Sequence, residues 1–190
     1  MPEYFDNYNK QDVDLIKKQL GNKNKDVSIC GIWKRCRFGF PQIIFLNPIR
    51  KNKKEKFINY EAISNITWLT CPYLNEKIHE LEDLLYIKKI KALIEDNNNF
   101  KNMMQRAHAD YYFTRNIIYN RYVDADLDQA QRFNLTETGI GGIGDLNTIK
   151  CLHIHYCHYN MCRSNIAGFI TYLLLGKKTD CDDAYCMCYK

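Results

Sequence analysis

The chain has 190 residues, 46% of them hydrophobic, and a formal net charge of +5. That length and composition support one sizeable folded core and exclude a disordered chain, while so modest a charge permits an acidic partner without indicating one. No uncharged apolar run reaches 18 residues and MPEYFDNYNKQDVDL lacks an apolar centre, so neither a membrane span nor a secretory leader is expected. A cytoplasmic location follows, in which the nine cysteines read as thiols or metal ligands rather than as a disulfide framework.

QDVDLIKKQLG reads as a short amphipathic helix with Val13, Ile16 and Leu20 on one side and Gly21 as its stop. VSICGIW and PQIIFLN are two short strands around the basic turn KRCRFGF, and AISNITWL is a third extended segment. Between them, PIRKNKKEKF carries five basic residues and one acidic residue and reads as a solvated loop. Residues 50–56 could also meet RNA or an acidic protein, although no interleaved aromatics support that. TCPYLNEKIHELEDLLYIKKIKALIED is expected as one long helix, with Pro72 in its first turn and an apolar stripe of Leu74, Ile78, Leu81 and Leu85. KNMMQRAHADYYFTRNIIYN forms a second, with His108 as an ordinary hydrogen-bonded histidine.

Gly139, Gly141 and Gly144 spell GxGxxG, but a dinucleotide fingerprint needs a strand immediately before it and RFNLTET is a poor one. The glycines are better read as a flexible helix entry able to offer N–H groups to an anion, with Asp145 or Asn147 capping the helix that follows.

That helix contains CLHIHYCHYNMC, three histidines and three cysteines in twelve positions. At about 100° per residue, Cys151, His155, His158 and Cys162 share one narrow stripe. Cys151 and Cys162 nevertheless lie about 16 Å apart along the axis, so one zinc with bonds of about 2.0–2.3 Å cannot take all four. The stretch supplies local pairs such as His158 with Cys162, and a closed site must recruit ligands from elsewhere. Cys36, in a Gly/Pro-bounded turn, and Cys71, at a helix N-terminus, are the available recruits. Cys181, Cys186 and Cys188 in the tail lack a matching CxxC pair.

RCRFGFPQII, TWLTCPYL, the helix with His108 and IKCLHIHYCHY, in that order, resemble the bacterial domain-of-unknown-function family DUF501 over roughly residues 28 to 170. The resemblance implies a cytosolic bacterial protein and specifies no reaction. Its recurring motifs fall on Cys36 with Gly39 and Pro41; on Leu69, Thr70, Cys71 and Pro72; on Lys150, Cys151, Leu152 and His153; and on His158. The family's asparagine–proline–hydrophobic–glycine element is Asn165, Ile166, Ala167 and Gly168 here, without the proline. A second family cysteine after Cys36 is also missing, since Arg37 and Phe38 precede Gly39.

The expectation is therefore an α+β protein with a small early two- or three-stranded sheet packed against a mainly helical remainder. Residues 1–170 form one compact domain and 171–190 a cysteine-rich extension. The first functional reading is a structural metal centre, zinc or an iron–sulfur cluster, held by Cys36, Cys71, Cys151 and His158. An enzyme with Cys71 as nucleophile and His153, His155 or His158 as base, and an RNA- or protein-binding or self-associating module, are the alternatives.

Overall fold

The computed structural model describes residues 6–21, 27–52, 59–122 and 127–183. Helix α1 (Lys10–Gln19) starts with a reciprocal cap, in which Asn9 accepts from Asp12 N–H and Asp12 accepts from Asn9 N–H. Asp12 also takes Arg35 Nη1 at 2.7 Å, fastening the helix to strand β1 (Ile29–Arg35).

Strand β2 (Pro41–Leu46) runs antiparallel to β1 on one side and to β5 (Thr67–Leu69) on the other. Its central place explains why all six of its residues are buried. Alternation divides them between two faces. Ile44 and Leu46 pack with Ile16 of α1, whereas Ile43 and Phe45 enter the cores shared with the helices. Strands β3 (Ile49–Asn52) and β4 (Asn59–Ala62) form a separate antiparallel pair. The basic segment thus opens as a strand rather than as the expected loop, because Ile49 is buried with Leu127 and Leu135 and fixes its register. Residues 53–56 of that segment lie outside the described residues.

The expected long helix is two: α2 (Pro72–Asp83) and α3 (Tyr86–Glu95), broken where Leu85 takes a left-handed conformation at φ 63°. The reason is phase. Ile78 and Ile90 are twelve residues apart, so a straight helix would turn their side chains about 120° away from each other. Breaking the helix lets Leu74 and Ile78 on α2 and Ile90 and Ile94 on α3 face one core, and leaves Leu85 56% exposed. Helix α4 (Asn98–Tyr122) packs on α3, and α5 (Gln129–Thr136), capped by Asp128, leads into a tight 3-10 turn at Ile140–Gly142. A helix, not a strand, therefore precedes the glycines, and the dinucleotide reading is excluded. Asp145 closes its own turn by accepting from Asn147 N–H and Thr148 Oγ1, each at 3.0 Å. It does not cap the next helix as expected.

Helix α6 (Leu152–Met161) lies at the centre, with Leu152 and every residue from Ile154 to Tyr159 buried. Helix α7 (Ile166–Leu174) crosses it so closely that a Cβ on Gly168 would sit 2.1 Å from the His155 carbonyl oxygen. Asn165 caps α7 by accepting Gly168 N–H at 2.9 Å, so the turn forms with Ile166 in place of the expected proline. Helix α7 runs past residue 170. The chain then returns to the β1–β2 turn, where Gln42 Nε2 donates to Thr179 O and Arg37 N–H to Asp180. Cys181 is buried there, while Cys186 and Cys188 lie outside the described residues. The architecture is the expected one, a small antiparallel sheet packed against a mainly helical remainder.

Candidate metal centre

The histidine–cysteine stretch does not act as one face. Cys151 stands before α6 in extended conformation (φ −158°, ψ 133°) and makes no side-chain cap. The cap comes from α2: Glu82 Oε1 accepts Leu152 N–H at 2.6 Å, a carboxylate placed where the helix dipole favours it. His153 follows in the first turn. Its Nε2 donates to the Asn75 carbonyl at 3.2 Å, and its Nδ1 lies 3.2 Å from Glu82 Oε1 and 3.4 Å from Cys151 Sγ. His79, one turn before Glu82, brings Nδ1 to 3.9 Å from Glu82 Oε2. His79, Glu82 and His153 thus hold ligand atoms within 4.8 Å of one another.

Electrostatics in this group oppose burial. Burial alone would lower the His153 pKa, but contacts with Cys151 and Glu82 outweigh it and hold the ring at about 10. Glu82 is likewise raised by burial, yet the His153 ring, the Leu152 N–H and Cys151 together leave it below its ordinary value. A charged imidazole and a charged carboxylate therefore clamp α2 to the start of α6.

A second group of three, Asp110, His158 and Cys162, is also close enough to share an ion. Its tautomers argue otherwise. Asn165 Oδ1 accepts Gly168 N–H, which turns Nδ2 of that amide toward His158 Nδ1 at 3.1 Å. His158 Nδ1 must then carry a lone pair, and Nε2 carries the proton donated to Asp110 Oδ2 at 3.0 Å. A cation on Nε2 would displace that proton and leave both ring nitrogens bare. The hydrogen bond from His158 accordingly keeps Asp110 below its ordinary value, while burial lowers His158. This group is a neutral-histidine–carboxylate pair.

The same amide reaches a second ring. His155 Nδ1 donates to Asn165 Oδ1 at 3.3 Å, and His108 Nδ1 accepts Ile140 N–H at 3.1 Å. The glycine turn thus gives its N–H to a histidine instead of an anion, and Gly139 is required because a Cβ there would meet His108 Nδ1 at 2.6 Å. Burial lowers His108 to about 4 and His155 to about 3. Since folded pKa values below the unfolded value mean that acid favours the unfolded chain, stability is expected to fall as the pH drops from 6.5 toward 4. His108 alone accounts for on the order of 3 kcal/mol over that range. Urea midpoints at pH 7 and 4.5 check this, with a shallower pH dependence expected in His108→Gln.

Of the four expected ligands, Cys36 lies buried in the β1–β2 turn and Cys71 is buried at the start of α2, in the core with Leu74, Tyr156 and Cys157. Cys151 borders the first group and His158 belongs to the second; neither group contains Cys36 or Cys71. Sequence reading missed His79 and Glu82, whose spacing of three on α2 was the available signal, and Asp110, two residues beyond His108. It also could not show that Asn75 offers its backbone carbonyl.

Fold and site together define an α+β protein with one charged and one neutral histidine–carboxylate group, both anchored on a buried central helix. The chain belongs to the family described as "Protein of unknown function (DUF501)", whose model matches residues 32–172, from β1 into α7. No curated protein and no solved structure matches it. Among the described residues no helix is long and apolar enough to cross a membrane.

Proposed function

We propose that the protein binds a divalent transition metal, zinc above all, where α2 meets α6, through His153, Glu82, His79 and Cys151. The observation that carries this is the division of labour in His153. Its Nε2–H is spent on the Asn75 carbonyl, the partner that typically orients a metal-bound histidine, and Nδ1 is left facing Glu82 and Cys151. Two imidazoles, a carboxylate and a thiolate are all zinc ligands, and a tetrahedral ion would replace the proton that now joins them. One thiolate is too few for an iron–sulfur cluster, which is ordinarily held by four cysteines. The role is structural: the ion ties α2 to the start of the central helix. Cys36, Cys71, Cys151 and His158 remain a rival ligand set that the same experiments separate. A cytoplasmic site fits the absence of any disulfide among the described cysteines.

The Cys151–His153 contact also supports a second reading, a thiol-dependent reaction with His153 beside the sulfur, for which the structure indicates no substrate. Cobalt(II) titration discriminates. A sulfur-to-cobalt absorption band is expected in the full chain and is lost in Cys151→Ser. His79→Ala, which removes a side chain 72% exposed and leaves the core intact, weakens affinity by at least about tenfold. A band that is unchanged in His79→Ala and is weakened or lost in Cys36→Ser or Cys71→Ser assigns the metal to the rival set, which shares Cys151.

A further inference from the structure

The segment that follows α7 is fastened to the sheet by contacts the metal reading does not use. Gly176 and Lys177 both take the left-handed conformation, at φ 66° and 61°, which ends the helix and turns the chain back toward the β1–β2 turn. Three hydrogen bonds meet it there. Gln42 Nε2 donates to Thr179 O at 2.6 Å, Arg37 N–H donates to Asp180 Oδ1 at 2.9 Å, and the Arg37 guanidinium donates to the Asp182 carbonyl. Both aspartates are oriented from within the segment. Thr179 Oγ1 donates to Asp180 Oδ2 at 2.8 Å, and Lys178 Nζ donates to Asp182 Oδ2 at 2.9 Å. The receiving side is equally specific. Gln42 is the polar residue in the otherwise apolar strand PQIIFL, it is fully buried, and the Thr179 carbonyl takes its amide. Burial lowers the pKa of Lys34 on β1, and the Asp180 charge opposes that fall.

These contacts are polar, and none of residues 177–183 joins a hydrophobic cluster. Cys36 and Cys181 stand apart in the same way. They are 8% and 4% exposed, yet neither belongs to a cluster, whereas Cys71 and Cys157 sit in the main one. Cys36 adjoins Arg37 and Cys181 lies between the two aspartates, so both are buried where the segment meets the turn. The segment also lies beyond residue 172, where the family match ends. We propose that residues 177–183 are a reversible strap, latched in cis on Gln42 and Arg37, that opens while the core stays folded and uncovers the thiols of Cys36 and Cys181. Regions held by few apolar contacts open at a lower free energy than the core. The open strap presents two thiols to soft metal ions and electrophiles, and the closed strap withholds them.

Timed alkylation of the reduced full chain with iodoacetamide, read cysteine by cysteine by peptide mass spectrometry, tests this. Cys181 belongs to neither ligand set, so its rate does not report on the metal. Cys36 and Cys181 are expected to react at least about tenfold faster than Cys157, which opens only with the core. Asp180→Ala removes the acceptor of Arg37 N–H at a partly exposed position. It is expected to speed both cysteines by at least about fivefold more and to leave Cys157 unchanged. Cys36 or Cys181 reacting as slowly as Cys157, a rate at either one that Asp180→Ala does not change, or a Cys157 rate that rises with theirs would overturn the strap.

Discussion

Gly168→Ala is expected to cost at least about 3 kcal/mol or to prevent folding. The added methyl would lie 2.1 Å from the His155 carbonyl oxygen, 2.7 Å from its carbon and 2.5 Å from Tyr159 Cβ. Two of these are backbone atoms of the central helix, so no side-chain rotation relieves the contact. Helix α7 would have to lift away from α6, and the Gly168 N–H would leave Asn165, whose amide orients both His155 and His158. One methyl thus disturbs packing and the Asn165 hydrogen bonds together. Gly144→Ala is the control: its Cβ meets nothing within 4 Å, and a change within about 0.5 kcal/mol is expected. Urea denaturation of both variants measures the difference.

Arg115→Met is expected to be comparably severe, costing about 3–5 kcal/mol. Arg115 is fully buried on α4, and its guanidinium donates to the Leu135 carbonyl at 2.6 Å, the Ser64 carbonyl at 3.1 Å and the Thr138 carbonyl. These belong to the end of α5, the β4–β5 link and the segment entering the glycine turn. Methionine preserves most of the apolar length but leaves three carbonyls without their donor. Arg115→Lys retains the charge yet lacks the planar fork that reaches three acceptors, so it is expected to recover less than half of the loss. Since Thr138 precedes the turn that presents Ile140 N–H to His108, the Met variant is also expected to change the His108 ring signals.

Local features carried through from sequence to structure where one residue type settles them. Pro72 marks the start of α2, the apolar run in PQIIFL marks a short strand, and the period in KNMMQRAHADYYF marks α4. The break at Leu85 was illegible because both halves have apolar stripes, and only their common core reveals that the stripes are out of phase. The helix in CLHIHYCHYNMC was legible, and its length ruled out a four-ligand stripe. Its partners were not. Glu82 lies seventy residues before Leu152, Asp110 lies forty-eight before His158, and neither sits in a motif of its own. Cys36 and Cys71 stood out because one sits in a Gly/Pro-bounded turn and the other at a helix N-terminus. The structure instead surrounds His153 with a glutamate and a backbone carbonyl, groups too common in sequence to attract notice.

The metal content of the full chain, purified anaerobically without chelator, tests the central claim most directly. One zinc per chain is expected in the wild type, falling to none in the His79→Ala, Cys151→Ser double variant while the helical circular-dichroism signal persists. Wild-type protein free of metal, or a double variant that keeps its metal, would contradict a centre at the meeting of α2 and α6.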